Sequence, residues 1–294
     1  MKYNILAYNN LQSNYKGTGI MIIVVSDVHL GYDKSNHSEF KKFLDKCNTS
    51  DIDHLILLGD IFDFWRANMA DVVMGKNICG NDPGTQKSYA AIFETLGNLK
   101  TKKVHYVSGN HDYYILSLSE MYQKNYNMPV YPFTTISKSL RLSDGDCKFY
   151  FIHGYELDVL LNMEFMDIET YEQLSYRMCF SEKFLRILAS DIWDIVQYGE
   201  LAMEKLKRPP HERENIDKIK ELSESNGVFA LLGMKPDEKL VFGHTHRPFI
   251  NDKKTVANTG SWVSDRPSEF PPNTYIKIVD GQMEWKAFDE NKPL

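Results

Sequence analysis

Asp27-Val28-His29, Gly59-Asp60-Ile61-Phe62-Asp63, Gly109-Asn110-His111-Asp112, His153-Gly154 and Gly243-His244-Thr245-His246 carry the chemistry of this sequence. Asp27, Asp60 and Asp63 offer carboxylates, and Asn110 a carboxamide oxygen. His29, His111, His153, His244 and His246 offer imidazoles. Brought together and buried, these groups would be costly to desolvate, and the carboxylates would repel one another, unless a cation compensates them. Oxygen and nitrogen donors without a thiolate favour manganese, with iron, zinc, cobalt or nickel as alternatives, over a sulfur-loving metal. The donor set suits two ions a few ångströms apart, an arrangement that serves hydrolysis by lowering the pKa of water toward neutrality.

Each motif follows a run that reads as a buried strand: Met21 to Val25, Leu55 to Leu58, Val104 to Val107, Phe149 to Ile152 and Leu240 to Phe242. The strand ends should meet at one edge. Asp27 and His29 are two residues apart and would share a face on a true strand. Gly59 lets the backbone approach the centre closely beside Asp60.

Between the strands, Ser38–Cys47, Thr85–Leu96 and Tyr113–Lys124 read as helices, the first with Phe40, Phe43 and Leu44 on one face. This is βαβ wiring with parallel strands. Ile136–Leu142 and Lys148–Ile152 read as a hairpin turned at Asp144-Gly145-Asp146. Residues from about 156 to 232 form a long helical insert. Phe165, Ile168, Tyr171, Leu174 and Met178 stand at helical spacing in it, and Phe184 to Val196 is strongly apolar. Thr255–Asn258 and Tyr275–Val279 are expected to complete a second sheet, with Asn258-Thr259-Gly260-Ser261 as a rim turn. The fold expected is α/β: a two-sheet αββα sandwich with a helical insert.

The 294 residues are 43% apolar and 25% charged, ordinary for a globular chain. A net charge of −6 argues against a broad polyanion binder, and no stable nucleic-acid partner is expected. Cys47, Cys79, Cys147 and Cys179 show no paired spacing, which argues against a disulfide framework or a thiolate zinc site. No apolar run reaches membrane-span length, and Met1–Gly19 lacks the apolar block of a signal peptide. A cytoplasmic location is expected.

In order and spacing, the motifs from residue 21 to 262 resemble the calcineurin-like metallophosphoesterase family, whose pattern is D-x-H, G-D-x-x-D, G-N-H-[DE], a lone His and G-H-x-H. The resemblance implies one metallophosphoesterase domain over 21–294, preceded by an arm at 1–20. It implies that Asp27, His29 and His246 hold a first metal, that Asn110, His153 and His244 hold a second, and that Asp60 bridges them. His111 would face the scissile phosphate, oriented by Asp63. The activity implied is cleavage of a phosphodiester or pyrophosphate bond in a small phosphorylated substrate. Asp60 to Trp65 and the long insert look like the UDP-2,3-diacylglucosamine pyrophosphohydrolase branch, whose insert covers a lipid. That likeness points to a nucleotide- or lipid-linked substrate and to peripheral membrane contact. Trp65, Arg66 and Arg247 are candidate substrate-binding residues, although Arg247 would equally pair with an acid.

His29-Leu30-Gly31-Tyr32 also occurs in repair nucleases of the superfamily, an alternative opposed by the acidic charge. Scaffold relatives, as a retromer subunit is, lose ligands or the catalytic His; this chain keeps all of them. His37, His54, His105 and His211 match no motif and read as surface or core residues. Asp112 is expected to cap the helix near Tyr113. The apolar insert would serve as a lid or as an oligomer interface, and Lys205, Lys207 and Arg208 read as a solvated face diluted by neighbouring glutamates.

Overall fold

Short apolar strands with both faces covered make up the centre of the fold, as expected for parallel strands between layers. The computed structural model describes residues 19–73, 83–127, 132–161, 167–179, 215–265 and 269–294. Most of the N-terminal arm, Phe165, the apolar run 184–196 and the cluster of Lys205, Lys207 and Arg208 lie outside the described residues.

The first sheet contains β1 (Met21–Val25), β2 (His54–Leu58), β3 (Lys103–Val107) and β4 (Thr135–Ser137), paired in parallel. On the far side of β1 it continues through β10 (Thr274–Val279) and β11 (Gln282–Ala287), both antiparallel. The second sheet contains β5 (Ser139–Asp144), β6 (Cys147–Ile152), β7 (Glu238–Phe242), β8 (Phe249–Ile250) and β9 (Val256–Asn258), in the order β5-β6-β7-β9-β8. Ile22, Val24, Ile56, Leu58 and Val107 of the first sheet face Phe149, Phe151 and Val241 of the second.

The other face of the first sheet, including Ile23, Val25, Leu55 and Leu57, packs on α1 (His37–Cys47) and α3 (Pro83–Gly97). Helix α1 buries Phe40, Phe43 and Leu44, the i, i+3, i+4 stripe read from the sequence. Each such side chain contributes about 1.5–3 kcal/mol. Helix α2 (Met69–Val73) lies in the β2–β3 connection and α4 (Ile115–Tyr126) follows β3. On the second sheet, Tyr150, Ile152, Leu240 and Phe242 meet Leu157 of α5 (Tyr155–Leu161), Ile219 of α7 (Asn215–Ser223) and Val228 of α8 (Asn226–Leu231). Helix α6 (Ile168–Met178) buries Tyr171 and Met178. The result is an αββα sandwich, and the insert is helical wherever it is described.

Several expectations are corrected. Tyr275–Val279 does not complete the second sheet; it pairs with β1 in the register Met21↔Val279 and closes that strand's open edge. Ile276 and Ile278 then fill the space between the sheets, and the Tyr275 ring reaches Phe43 at 5.3 Å. The β10–β11 turn has positive φ at both Asp280 (50°) and Gly281 (70°), as a two-residue hairpin turn of the Asp-Gly kind requires. Ile136 and Ser137 belong to β4 of the first sheet, not to the hairpin, so the chain changes sheets at Lys138. Asn258, Thr259 and Ser261 are fully or almost fully buried rather than at a rim.

At the end of the first sheet away from the motifs, His54 Nδ1 and His105 Nε2 are 2.8 Å apart, with the rings stacked. Burial and then the neighbouring cationic side chains lower both, His105 to about 4. The folded state therefore takes up these protons less readily than the unfolded chain. Stability should fall as pH drops from about 6.5 toward 4. Urea unfolding across that range should show the fall, and His105→Gln should flatten it; an unchanged slope in the variant would contradict the assignment.

Candidate metal centre

The C-terminal ends of β1, β2, β3, β6 and β7 open at the same edge of the sandwich, where the two sheets meet. Each strand releases a motif there: Asp27 and His29 after β1, Asp60 after β2, Asn110 and His111 after β3, His153 after β6, and His244 and His246 after β7. Asp27, His29 and His246 bring ligand atoms within 4.8 Å of one another. So do Asp60, His153 and His244, and so do His29, Asp60 and His111.

The backbone does much of the aiming. Nine described non-glycine residues have positive φ, and five of them are Asp27, His29, Asp60, His244 and His246. This left-handed conformation costs a non-glycine residue about 1–3 kcal/mol unless its surroundings impose it. Here they do: Asp27 N–H donates to Gly59 O (3.1 Å), His29 N–H to Asp60 O (2.8 Å) and Trp262 N–H to Asp27 O (3.0 Å). Gly59, at φ +82°, is confined by contact; a Cβ there would lie 2.4 Å from His153 Nδ1.

The side chains close the pocket. His246 Nε2 is 3.3 Å from both Asp27 Oδ1 and His29 Nε2. His153 Nε2 is 3.1 Å from Asp60 Oδ2, and its Nδ1–H donates to Leu58 O at 2.9 Å. Asp63, fully buried, accepts from His29 Nδ1 (3.0 Å) and His111 Nδ1 (3.1 Å). One carboxylate thus orients two imidazoles.

Among the described residues, four ligand-type atoms of this pocket's side chains are buried without a hydrogen-bond partner: Asp27 Oδ1, Asn110 Oδ1, His153 Nε2 and His246 Nδ1. Buried polar atoms are almost always satisfied, so orphans that converge on one pocket fit a cation. Charge agrees. Burial alone would lower His153, but the carboxylates of Asp60 and Asp27 push it up to about 10. Burial would raise Asp27 and Asp60, yet the surrounding imidazoles, His153 foremost, hold both below the usual carboxylate range. In this balance a proton on His153 neutralises charge that a metal would otherwise meet.

The candidate substrate residues sit differently from one another. Trp65 is buried, and its ring stacks on His111 at 4.1 Å, so it backs that imidazole. Arg66 pairs with Asp63 and lies over the Tyr32 ring at 4.2 Å. Arg247 Nη1 pairs with Asp217 of α7 at 2.9 Å, the acid-pairing alternative of its two readings.

Some supporting residues carry a role that a one-dimensional pattern does not show. Asp112 does not cap the helix; its carboxylate accepts from Gly109 N–H (2.7 Å), Ile61 N–H (2.9 Å) and Tyr106 Oη, locking two motif loops together. Asn258 Nδ2 donates to Gly243 O at 2.6 Å. Ser26 Oγ reaches Asp27 Oδ2 and Thr259 Oγ1. Ser26 directly follows β1 and Asn258 closes β9, positions that mark a strand end but not the partner each side chain takes.

The sequence matches the calcineurin-like phosphoesterase family over residues 20–248, and the chain belongs to that family. The family's chemistry is metal-dependent hydrolysis of phosphoesters. No curated protein matches the chain. Among solved structures, an archaeal phosphodiesterase is similar at 12% identity, covering 92% of this chain and 100% of its own, with a TM-score of 0.42. The phosphoesterase Yfce from E. coli is similar at 16% identity over 92% of this chain and 100% of its own, with a TM-score of 0.40. Vps29 from Chaetomium thermophilum is similar at 14% identity over 88% and 79%, with a TM-score of 0.37. These likenesses are too distant to carry function across. Among the described residues, no helix is long and apolar enough to cross a membrane.

A cation entering this pocket near pH 8 must displace the His153 proton. Calorimetric titration with manganese in two buffers of different ionisation enthalpy should therefore show release of about one proton per pocket filled. Binding without proton release would contradict the charge balance described above.

Proposed function

We propose that this chain is a hydrolase that cleaves a phosphodiester or pyrophosphate bond at a pair of divalent cations. The convergence of buried donor groups from five strand ends, several with atoms left unpartnered, carries this reading. Asp27, His29 and His246 would hold one ion. Asn110, His153 and His244 would hold the other, and Asp60 would lie between them. Manganese is the first choice of metal on donor chemistry, with iron, zinc, cobalt and nickel as alternatives. Bound there, the ions would supply Lewis acidity for the phosphate oxygens and an acidified water as nucleophile.

The remaining work falls to the chain's own residues. Asp63 holds His111 through Nδ1, which leaves Nε2 to face the substrate. Trp65 stacks behind the ring and limits its rotation. His111, as imidazolium, would stabilise the phosphate's developing charge and pass its proton to the leaving oxygen. Arg66 acts on Asp63, so its part is to hold that carboxylate charged. Arg247 would have to leave Asp217 before gripping a phosphate.

We assign residues 21–294 to one metallophosphoesterase domain with a helical insert at about 156–232, and 1–20 to an arm. The motif Asp60 to Trp65 and the placement of α5, the first described helix of the insert, beside the pocket support a nucleotide- or lipid-linked pyrophosphate as substrate, of the UDP-diacylglucosamine kind. The acidic net charge of −6 weighs against nucleic acid.

His111→Ala should retain metal yet lose at least about a hundredfold in turnover; full activity would remove its assigned role. Asp60→Asn should lose both ions by elemental analysis, and two tightly held ions would contradict the bridging assignment. A manganese-supplemented panel of nitrophenyl monoester, bis-nitrophenyl diester, UDP-diacylglucosamine and single-stranded DNA should favour the pyrophosphate. Preference for DNA would overturn that substrate class.

A further inference from the structure

Three of the four imidazoles assigned to the metals have one ring nitrogen tied to a group behind them. For His29 it is Nδ1, held by Asp63 at 3.0 Å; for His153 it is Nδ1, held by Leu58 O at 2.9 Å. For His244 it is Nε2, and the partner is Asp158 Oδ2 at 3.5 Å. Asp158 belongs to none of the motifs. It lies on α5, the first helix of the insert, and is only 7% exposed. A carboxylate this enclosed is costly to keep without compensating charge or hydrogen bonds.

Local structure brings Asp158 to His244. Gly154 has φ +121°, and a Cβ there would lie 3.1 Å from His244 Cβ and 3.0 Å from the Phe242 ring. Only a glycine lets α5 start so close to the β7 end. Tyr155 and Leu157 are fully buried, and the Tyr155 ring stacks on Tyr171 of α6 at 5.3 Å. Leu157 packs in the outer core with Leu240 and Phe242. The helix is thereby fixed against the sheet, with Asp158 on its inner side. His244 is held by its backbone too, through His244 N–H to Asp27 Oδ2 at 2.9 Å. Its ring stands edge-on to His153 at 5.3 Å.

We propose that Asp158 is a positioning residue for the second metal: it accepts the Nε2–H of His244 and so presents Nδ1 toward Asp60 and His153. A carboxylate behind a ligating imidazole fixes its tautomer and raises its basicity. The inference rests on the dinuclear reading above and adds that the insert, through α5, sets the affinity of one of its two sites. Loss of such a partner typically weakens metal binding about 10- to 100-fold.

The test is calorimetric titration of the full chain with manganese chloride. Wild-type protein should bind two ions. Asp158→Ala should bind the first unchanged and the second about 10- to 100-fold more weakly. Asp158→Asn, which still accepts a hydrogen bond, should recover most of that loss. In a His244→Ala background, Asp158→Ala should add less than about a twofold change, since no imidazole remains to orient. Asp158→Ser replaces Asp158→Ala if the latter does not fold, with the same loss expected. Wild-type second-site affinity in Asp158→Ala or Asp158→Ser would overturn the inference and leave the dinuclear reading standing. Asp158→Asn as weak as Asp158→Ala would also overturn it, because a hydrogen bond would then not be the cause. Wild-type protein binding fewer than two ions would overturn the dinuclear reading itself, and the inference with it.

Discussion

Unbalanced charge in a closed space is the constraint on which this molecule is organised. Asp27, Asp60 and Asp63 are buried together, with five imidazoles around them. Two carboxylates and a proton-hungry imidazole in one dry pocket are tolerable only when a positive charge sits among them. In the protein alone, the carboxylates of Asp60 and Asp27 push His153 toward its protonated form; a divalent cation would supply that charge and would also satisfy Asp27 Oδ1 and Asn110 Oδ1. The pocket is therefore suited to a cation, and the surrounding fold has to hold its donors together.

The sandwich does so by dividing the task between its sheets. The first sheet supplies Asp27, His29, Asp60 and Asn110; the second supplies His153, His244 and His246. Cross-links join the two halves: Asp27 Oδ2 accepts from His244 N–H, and Asp60 Oδ2 faces His153 Nε2. Behind them, the Asp112 carboxylate fastens the β2 and β3 loops, and Asn258 fastens the β7 loop. Left-handed backbone at five donor residues turns each side chain inward, and the loop-to-loop hydrogen bonds offset its cost. Asp158 extends the same logic into the insert, which makes this helical segment part of the pocket's wall as well as its neighbour.

Much of this was legible in the sequence. Each strand that carries a motif is a short apolar run followed within two residues by Gly, Asp or His, so strand and motif announce one another. The amphipathic stripe of α1 and the βαβ alternation were equally plain. What escaped is what depends on pairing between distant segments. Nothing local to Tyr275–Val279 says which sheet it joins; the choice is made by the open edge of β1 and by the fit of Ile276 and Ile278 between the layers. Asp112 looked like a helix cap because such a residue commonly is one, yet its carboxylate is drawn to backbone N–H groups of a loop about fifty residues away. Nothing local to Trp65 and Arg66 shows their partners either: the Trp65 ring stacks on His111, and Arg66 pairs with Asp63.

The most direct test of the central claim is anomalous diffraction from crystals grown with manganese, measured at the manganese edge. Two peaks about 3.5–4 Å apart, with Asp60 between them and His153 and His246 on opposite sides, are the expected result. A single peak, or peaks away from Asp60, would contradict an account in which buried carboxylates and imidazoles exist to hold a pair of ions.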